Sequence, residues 1–375
     1  MSVLIENIEN VQLLEELVSG NAVSVNLSAL SRILDKHRST IKNKVETILE
    51  NNILAPPICA FLGLYSLLPL LAIINMDIPD RLEGTEIFER WVKEDPQIFA
   101  AYKSRQGEYD TLLFTYHENI TNYQLWMMSL PDILKLHYQI PEEYVDFVSS
   151  TSYFSNQLMI KYNPSTGINL MERDFEEKKS LSIHGFNLDE LDLNIIRCLV
   201  SGKGLKINRT FLCEKTKLHR KTIDKRISAL IKEGLISEPL CRFPNFFVPP
   251  NYLLTLSLVQ LKKTKEKVIK EMIMDPAISI MLQTIHGKYN LLVFGNHRSI
   301  DDHLEWEENY RKKFPDSFKS VSITYLSPEM TISFSQQFVS LCYLRNKLKF
   351  IAGKDIRKPL RSLGRARAHI LHKIT

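Results

Sequence analysis

The sequence predicts an α+β fold made of two tandem repeats, each a winged helix-turn-helix followed by a ferredoxin-like βαββαβ domain. Three observations support this prediction. The chain repeats itself over most of its 375 residues. The start of each repeat has the apolar spacing of short helices, and the remainder alternates strand-like with helix-like segments.

The repeat appears when the sequence is shifted against itself. Residues 13–61 then fall on residues 195–243 without a gap, and a second block that runs from residue 95 to residue 157 falls on residues 275–337. Matching positions include Leu17–Gly20 with Leu199–Gly202, His37-Arg38 with His219-Arg220, Pro57 with Pro239, Asp95-Pro96 with Asp275-Pro276, His117 with His297 and Gln157 with Gln337. This near-constant offset indicates a duplication, so we expect two copies of one architecture.

The beginning of the second copy has the order of a helix-turn-helix. The predicted helices are Asp189–Val200, Arg209–Thr216 and Arg220–Glu233, with a tight turn at residues 217–219 and a stop at Gly234. Two proline-containing turns between residues 235 and 248 predict a β-hairpin wing. The first copy has the same order, but its wing carries no charge.

The remainder of each copy has the order βαββαβ. In the second copy the predicted elements are Tyr252–Leu261, Thr264–Met274, Ile278–Ile285, Tyr289–Gly295, Ile300–Phe314 and Val321–Tyr325. In the first copy they are Leu70–Met76, Glu86–Lys93, Ile98–Lys103, Thr111–Tyr116 and Ile120–Leu130. This order is ferredoxin-like. The predicted domains are 1–62 and 181–249 (winged helices), 63–180 and 250–344 (ferredoxin-like) and 345–375 (basic C-terminal tail).

The charge differs between the two halves of the chain. Residues 1–180 contain 15 Lys and Arg against 25 Asp and Glu, a net charge of −10, whereas residues 181–375 contain 33 against 18, a net charge of +15. The basic half predicts an anionic partner, most simply nucleic acid. The alternative is that a solvated acidic surface happens to precede a solvated basic one.

The cysteine pattern and the hydropathy of the chain predict whether the protein is cytoplasmic or membrane-bound. Five cysteines form no CxxC pair, which fits reduced thiols in the cytoplasm better than disulfides or structural zinc. Ile58–Ile74 is uncharged and mostly apolar, but it is short for a bilayer span and is interrupted by Gly63 and Pro69. We expect a wing and a buried strand there, no membrane partner, no metal and no cofactor.

Two groups of residues carry a family resemblance. They are Leu188-Asp189, Asp192 and Ile195-Ile196, followed by Leu218–Ile223, Arg226-Ile227, Leu230 and Gly234–Ile236. This pattern resembles the Lrp/AsnC family of bacterial and archaeal transcription regulators. The resemblance implies a DNA-binding winged helix and an effector-sensing domain. Family members are usually single copies that dimerise, so we expect this chain to be an intramolecular pseudo-dimer and not an enzyme; further self-association is left open.

The expected function is sequence-specific binding of double-stranded DNA. A recognition helix presents its N-terminal residues to the major groove, where Arg contacts guanine and Lys contacts phosphate. The candidates are His219, Arg220, Lys221, Thr222, Lys225 and Arg226 in the second copy, His37, Arg38, Ser39, Thr40, Lys42 and Lys44 in the first, and Arg357, Lys358, Arg361, Arg365 and Arg367 in the tail. The alternatives are a solvated basic helix and a tail that docks on a partner or an anionic membrane.

The resemblance also implies a small-molecule effector, such as an amino acid, between the two ferredoxin-like domains. Its candidate contacts are Gly107, Tyr109, Asp110, His117, Gly287, Tyr289, Asn290 and His297. The alternative is that the glycines only turn hairpins and the tyrosines belong to the core.

Two other functions remain open. Siroheme decarboxylases look like this architecture, including fused two-copy forms, and His117, His286, His297 and Arg298 could then face a tetrapyrrole. The basic recognition helices argue against this reading, and no P-loop, GxGxxG, HExxH or GxSxG motif is present. The third function is a protein-interaction scaffold whose winged helices no longer bind DNA.

Overall fold

The computed structural model describes residues 2–78, 85–104, 109–141, 148–163, 166–183, 185–262, 265–284 and 289–353. The predicted fold class is confirmed, because each copy has a helix-turn-helix unit followed by a ferredoxin-like sheet with helices. The first copy contains α1 (Ser2–Ile5), α2 (Ile8–Val18), β1 (Val23–Val25), α3 (Leu27–Leu34), α4 (Arg38–Glu50), β2 (Ile58–Phe61), α5 (Leu64–Leu67), β3 (Leu70–Met76), α6 (Glu86–Glu94), β4 (Ile98–Lys103), β5 (Thr111–His117), α7 (Ile120–Tyr138), β6 (Ser149–Ser155), β7 (Met159–Tyr162), α8 (Gly167–Lys178) and β8 (Leu181–Ile183).

The second copy repeats this order. It contains β9 (Phe186–Leu188), α9 (Glu190–Val200), β10 (Leu205–Ile207), α10 (Arg209–Thr216), α11 (Arg220–Lys232), β11 (Ile236–Leu240), β12 (Leu253–Leu261), α12 (Lys265–Met274), β13 (Ile278–Gln283), β14 (Leu291–His297), α13 (Ile300–Lys313), β15 (Phe318–Leu326), β16 (Thr331–Phe334) and α14 (Gln336–Ile351). No described helix is long and apolar enough to cross a bilayer, and the apolar stretch from residue 58 to residue 74 forms β2, α5 and most of β3.

Local signals explain the helix-turn-helix units. Asn7 and Asp189, which are equivalent residues, accept hydrogen bonds from backbone N–H groups in the first turns of α2 and α9. The turn before each recognition helix contains a residue in the left-handed region, Asp35 (φ 48°) or Lys217 (φ 59°). The duplicated capping and turn positions therefore place α4 and α11 equivalently.

The two sheets exchange a strand, which the sequence did not predict. The first sheet has the order β16-β4-β5-β3-β6 and the second has the order β15-β12-β14-β13-β7. Each sheet thus contains the four antiparallel strands of one ferredoxin-like domain and a fifth strand from the other copy. The helices that follow the exchanged strands, α8 and α14, are thereby carried onto the opposite copy, where they contact the sheet ends.

The β-hairpin predicted from residues 235 to 248 does not form. Instead β11 pairs with β2 of the first copy, with Leu240 opposite Ile58, and β1 pairs with β10, with Ser24 opposite Lys206. Both pairs join equivalent residues, as expected at a pseudo-two-fold axis. All four residues of β2 are buried, whereas β11 is only partly buried and exposes Glu238. The pairing therefore shields the apolar strand β2 from water together with Ile236 and Pro239 of β11.

One core cluster joins the two copies between their sheets, and a further cluster lies between each sheet and its own helices. Phe114 and Phe294, again equivalent residues, have ring centroids 6.0 Å apart, and Phe246 stacks on Phe294 at 4.5 Å. The axis therefore passes through a shared aromatic core. The two copies form one folded body rather than two independent ones.

Candidate functional site

The tips of the recognition helices are exposed. His37 and His219 cap α4 and α11, and in each the Nδ1 atom accepts a hydrogen bond 3.3 Å long from the backbone N–H two residues later. The side chains that follow are exposed at Arg38, Ser39, Thr40 and Lys42 in the first copy and at Arg220, Lys221 and Lys225 in the second, whereas Thr222 is half-buried. Within the described ranges, Arg38, Arg220, Lys221 and Lys225 have no ion pair.

Lys44 and Arg226 differ from the other predicted DNA contacts. Lys44 Nζ donates to Asp189 and Asp192, both at 2.8 Å, at the N-terminus of α9. Arg226 bonds Glu9 and donates to Asn10 Oδ1 at 2.6 Å, at the N-terminus of α2. The two residues are equivalent and each ties its recognition helix to the other copy. Their charges are therefore used inside the protein, which corrects their assignment to DNA readout.

The predicted effector residues are not brought together. Asp110 accepts from the backbone N–H of Ile78 at 3.1 Å, and the equivalent Asn290 accepts from the backbone N–H of Leu261 at 2.8 Å. These bonds tie the end of β3 to the start of β5 and the end of β12 to the start of β14, near Tyr109 and Tyr289. His117 and His297 lie at the other end of the same strands, roughly 20 Å away at about 3.3 Å per residue. Gly107, Gly287, His286 and the tail residues Arg357, Lys358, Arg361, Arg365 and Arg367 lie outside the described residues.

Each of these histidines lines an open cleft at one end of a sheet. The His117 cleft has a volume of about 360 Å³ and is lined by residues around Pro96 and Glu118 together with the exchanged helix α14. The His297 cleft has a volume of about 370 Å³ and is lined by residues around Pro276 and Arg298 together with α8. Each cleft is therefore assembled from both copies.

The repeated Asp-Pro pair shapes both clefts. Asp95 accepts from the indole N–H of Trp126 at 3.0 Å, and the equivalent Asp275 accepts from that of Trp306 at 2.7 Å. The other oxygen of each aspartate accepts from a backbone N–H two residues later, at 2.8 Å. The duplication has thus preserved the same aspartate–tryptophan support in both clefts.

The His117 cleft contains a neutral imidazole. His117 is 2% exposed, its Nε2 lies 2.9 Å from Thr115 Oγ1, and its ring contacts those of Tyr123 and Trp126. Burial lowers the pKa of His117 to about 4. Among the described residues that line this cleft, the only cation is Lys347, which is paired with Glu6. This cleft therefore offers no arginine to a ligand, unlike its counterpart.

The His297 cleft has a denser polar network centred on Asp302. The Asp302 carboxylate accepts from Arg173 Nη2 at 2.8 Å and lies 3.7 Å from Arg298 Nε and 3.8 Å from His297 Nδ1. The adjacent His297 ring, followed by the hydrogen bonds from the Arg298 backbone and Arg173, holds the pKa of Asp302 well below its usual range. Asp302 therefore stays ionised, with a direct hydrogen bond from the Arg173 side chain and longer contacts to those of Arg298 and His297.

A second histidine extends this network inwards. His303 Nδ1 lies 3.2 Å from His297 Nε2, and its own Nε2 is buried without a hydrogen-bond partner among the described residues. Burial, reinforced by His297, lowers the pKa of His303 to about 4. Arg298 also donates to Glu177 at 2.5 Å on α8. The cleft thus combines two arginines, each paired with carboxylates of the chain, with two adjacent imidazoles.

Sequence reasoning found only part of this cleft. It singled out His297 and Arg298 but missed Arg173, Asp302, His303 and Trp306. The repeat contained one usable signal, because the alignment that places Asp275 on Asp95 also places Trp306 on Trp126 and Asp302 on Asn122. Arg173 gave no signal, since only the strand exchange carries α8 to this cleft.

Comparisons with known proteins place the fold. No family model matches the chain, and no curated protein sequence matches it. The crystal structure of the siroheme decarboxylase NirDL is similar over 92% of this chain and 100% of its own, with 10% identity and a TM-score of 0.46. The structure of E. coli AsnC matches over 39% of this chain and 90% of its own, with 16% identity and a TM-score of 0.27. A transcriptional regulator from Neisseria meningitidis in complex with L-methionine covers the same 39% of this chain at 15% identity, 86% of its own length and a TM-score of 0.26.

These comparisons correct one expectation and confirm another in part. The chain was expected not to be an enzyme, and this is overturned, because the solved structures that match nearly its whole length are those of an enzyme. The resemblance to Lrp/AsnC regulators is confirmed for the architecture of a single repeat. At these identities the likeness concerns the fold, so the chemistry has to be argued from the clefts.

Proposed function

We propose that this protein is an enzyme that removes carboxyl groups from a siroheme-like tetrapyrrole, with the His297 cleft as its active site. One observation carries this function: Arg173, Arg298 and His297 lie 2.8 Å, 3.7 Å and 3.8 Å from the Asp302 carboxylate in the same cleft. Of the functions that the sequence leaves open, decarboxylation is the one that uses both the cations and the imidazoles found there.

The arginines suit a substrate that carries several carboxylates around a flat ring system. A guanidinium group can bind a carboxylate through two parallel hydrogen bonds. Arg298 has two carboxylate partners on α8, the buried Asp174 at 3.3 Å and Glu177, whose side chain is 50% exposed. A substrate carboxylate can replace Glu177, which then returns to water, while Asp174 keeps the guanidinium group in place. The half-buried indole of Trp306 provides an aromatic wall for the ring.

The histidines suit the proton that decarboxylation requires. The bond between the carboxylate carbon and its neighbouring carbon breaks, CO₂ leaves, and the electron pair that remains on carbon takes up a proton. His297 supplies this proton, while the buried His303, whose Nδ1 lies 3.2 Å from His297 Nε2, orients the ring. The departing carboxylate should lie against Trp306 rather than on an arginine, because an ion pair would stabilise the charged ground state relative to neutral CO₂.

The duplication provides a matched control for the test. Full-length protein, His297→Gln and His117→Gln are incubated with siroheme without oxygen, and decarboxylated products are identified by mass spectrometry. We expect turnover by the wild type and by His117→Gln, and a loss of about 100-fold or more in His297→Gln because a general acid is removed. No product from the wild type, or full activity in His297→Gln, would contradict the proposed function.

DNA binding is a second candidate function, favoured by cations at both recognition-helix tips that form no ion pair within the described part of the chain. Arg38, Arg220, Lys221 and Lys225 are exposed and lie at equivalent ends of α4 and α11. Cations without intramolecular partners can contact phosphates and guanine. Mobility-shift assays at increasing salt provide the test, because the affinity of a protein that contacts several phosphates falls steeply with salt, and an absence of binding at low salt would exclude this function.

A further inference from the structure

The two sheets differ in how their outer edges are protected. β6 ends the first sheet and β15 ends the second, and among the described residues each pairs on one side only, β6 with β3 and β15 with β12. Ser150 of β6 and Ser322 of β15 are equivalent, because their neighbours Asn75 and Leu258 pair in turn with residues that the alignment superposes. An unpaired edge presents backbone groups with which another strand can pair.

The edge at β15 is protected by charge and by an irregularity. β15 contains Lys319, and its register against β12 shifts between Val259 and Leu261. Arg311 of α13 donates to the Lys319 carbonyl oxygen at 2.6 Å and forms an ion pair with Glu307. Lysine residues, bulges and covering side chains are the means by which edge strands avoid pairing with other chains. This edge is therefore unsuited to a further strand.

The edge at β6 has none of these protections. Residues 148–155 include no charged residue, and β6 pairs with β3 over its seven residues without a register shift. In α7 the positions equivalent to Glu307 and Arg311 are occupied by Met127 and Pro131. The ion pair that flanks β15 in the second copy therefore has no counterpart beside β6.

The helix beside β6 exposes apolar side chains where its equivalent carries acids. Tyr123 of α7 contacts Tyr153 of β6, with ring centroids 5.2 Å apart, so the helix and the strand belong to one surface. Leu125 and Met128 of α7 are 59% and 76% exposed, and their equivalents in α13 are glutamates. Val148, just before β6, is also exposed. An exposed apolar surface without charge is typical of a contact with another protein.

The backbone of β6 has hydrogen-bonding groups that face outwards. The N–H groups of Asp77 and Asn156 donate to the carbonyl oxygens of Val148 and Pro69, at 2.9 Å and 2.7 Å. Because hydrogen-bonded positions alternate along an antiparallel pair, the even-numbered residues of β6 bond to β3. The odd-numbered residues direct their N–H and C=O groups to the open edge; they are Ser149, Thr151, Tyr153 and Ser155.

We propose that two molecules of this protein pair through β6, antiparallel to each other, across a two-fold axis. An axis beside Ser152 sets Thr151 against Tyr153 of the partner subunit, and such a pair exchanges two hydrogen bonds because the backbone groups of both residues face the edge. No like charges meet across the axis, since the strand carries none. The contact joins two five-stranded sheets into one, and it does not depend on the proposed function.

The protected edge at β15 explains why the occupant is a second molecule and why association stops at two. If both edges were open, β6 of one molecule would pair with β15 of the next, and the series of contacts would not close. With one open edge, pairing of β6 with β6 gives a closed dimer. The axis that relates antiparallel strands is perpendicular to the sheet, so both α7 helices, with their exposed Leu125 and Met128, lie on the same face beside the junction.

Size-exclusion chromatography with light scattering of the full-length protein tests this proposal. We expect the wild type and Ser322→Lys to have the mass of two chains, and Ser150→Lys to form a dimer about tenfold weaker or worse. Both serines are exposed and equivalent, so the two variants place the same charge on the open edge and on the protected one. Circular dichroism should show the same spectrum for all three proteins.

Hydrogen exchange of the wild type provides a second readout that requires no variant. The backbone amides of Thr151 and Tyr153 should exchange slowly when the protein is concentrated enough to be a dimer, and faster after dilution. Three results would overturn the proposal: a wild type that is a monomer at the highest concentration reached, a dimer that is as tight in Ser150→Lys as in Ser322→Lys, or rapid exchange of these two amides in the dimer.

Discussion

Replacing Lys44 with methionine should destabilise the fold by about 2 kcal/mol without touching the helix tip. Lys44 Nζ makes two charged hydrogen bonds of 2.8 Å, and the Asp192 side chain that receives one of them is only 1% exposed. Removing one partner of a fully buried pair costs about 3–5 kcal/mol. Here Lys44 is 22% exposed and Asp189 is 60% exposed, so the bond to Asp189 contributes little and solvent screens part of the other.

The measurement is urea denaturation followed by circular dichroism, with Lys42→Met as the matched control. Lys42 lies on the same helix, and its one described ion pair is a 3.6 Å contact between two exposed side chains, so its replacement should change the unfolding free energy by less than about 0.5 kcal/mol. Arg226→Met should act like Lys44→Met, because Arg226 occupies the equivalent position. If Lys44→Met is as stable as Lys42→Met, the inter-copy contact does not stabilise the fold, and the assignment of Lys44 to it is wrong.

Three further predictions concern DNA, pH and the backbone. The double variant Arg220→Ala and Lys221→Ala should bind DNA about tenfold more weakly, or worse, in mobility-shift assays and with a smaller salt dependence, while thermal stability stays unchanged. Equal binding by this variant and the wild type would show that the N-terminus of α11 does not contact DNA. The free energy of unfolding should fall as the pH is lowered from about 6.5 to about 4. The unfolded chain takes up a proton on His117 near pH 6.5, whereas in the folded state burial lowers the pKa of His117 to about 4. Urea denaturation at several pH values should show a weaker pH dependence of this free energy in His117→Gln. Gly202→Ala should cost at least about 1 kcal/mol by the same assay, because Gly202 has φ +78° and an added Cβ would lie 2.6 Å from the carbonyl oxygen of Pro239; a neutral effect would show that the backbone relaxes.

The sequence predicted the elements better than their partners. The ends of β3 and β4 agree with the predicted ones, and α10 matches Arg209–Thr216 at both ends. These elements are set by local signals, namely apolar periodicity, capping residues and turn residues. The wing at residues 235–248 was wrong because an apolar strand pattern reports that a strand is buried, and it does not report which strand lies beside it.

In the candidate site, too, the sequence identified individual residues but not the residues that they contact. His297 and Arg298 were named among the residues that could face a tetrapyrrole in a siroheme decarboxylase, whereas Asp302 and Arg173 were missed. Their contact joins residues 129 positions apart in the chain. Lys44 and Arg226 were selected because they are basic residues on the recognition helices. Their carboxylate partners lie on the other copy, and no local sequence pattern identifies those partners.

By itself the sequence determined that the chain is duplicated, that each copy has a helix-turn-helix and a βαββαβ order, and that the recognition helices begin with basic residues. Those features follow from short-range steric and hydrophobic periodicities, which act within a few neighbouring residues. Only the tertiary structure decided that β7 and β16 change sheets, that α8 and α14 complete the clefts of the opposite copy, and that Asp302 gathers two arginines and a histidine. These arrangements arise from packing two similar surfaces across an axis, a long-range choice that depends on shape and charge complementarity between distant segments.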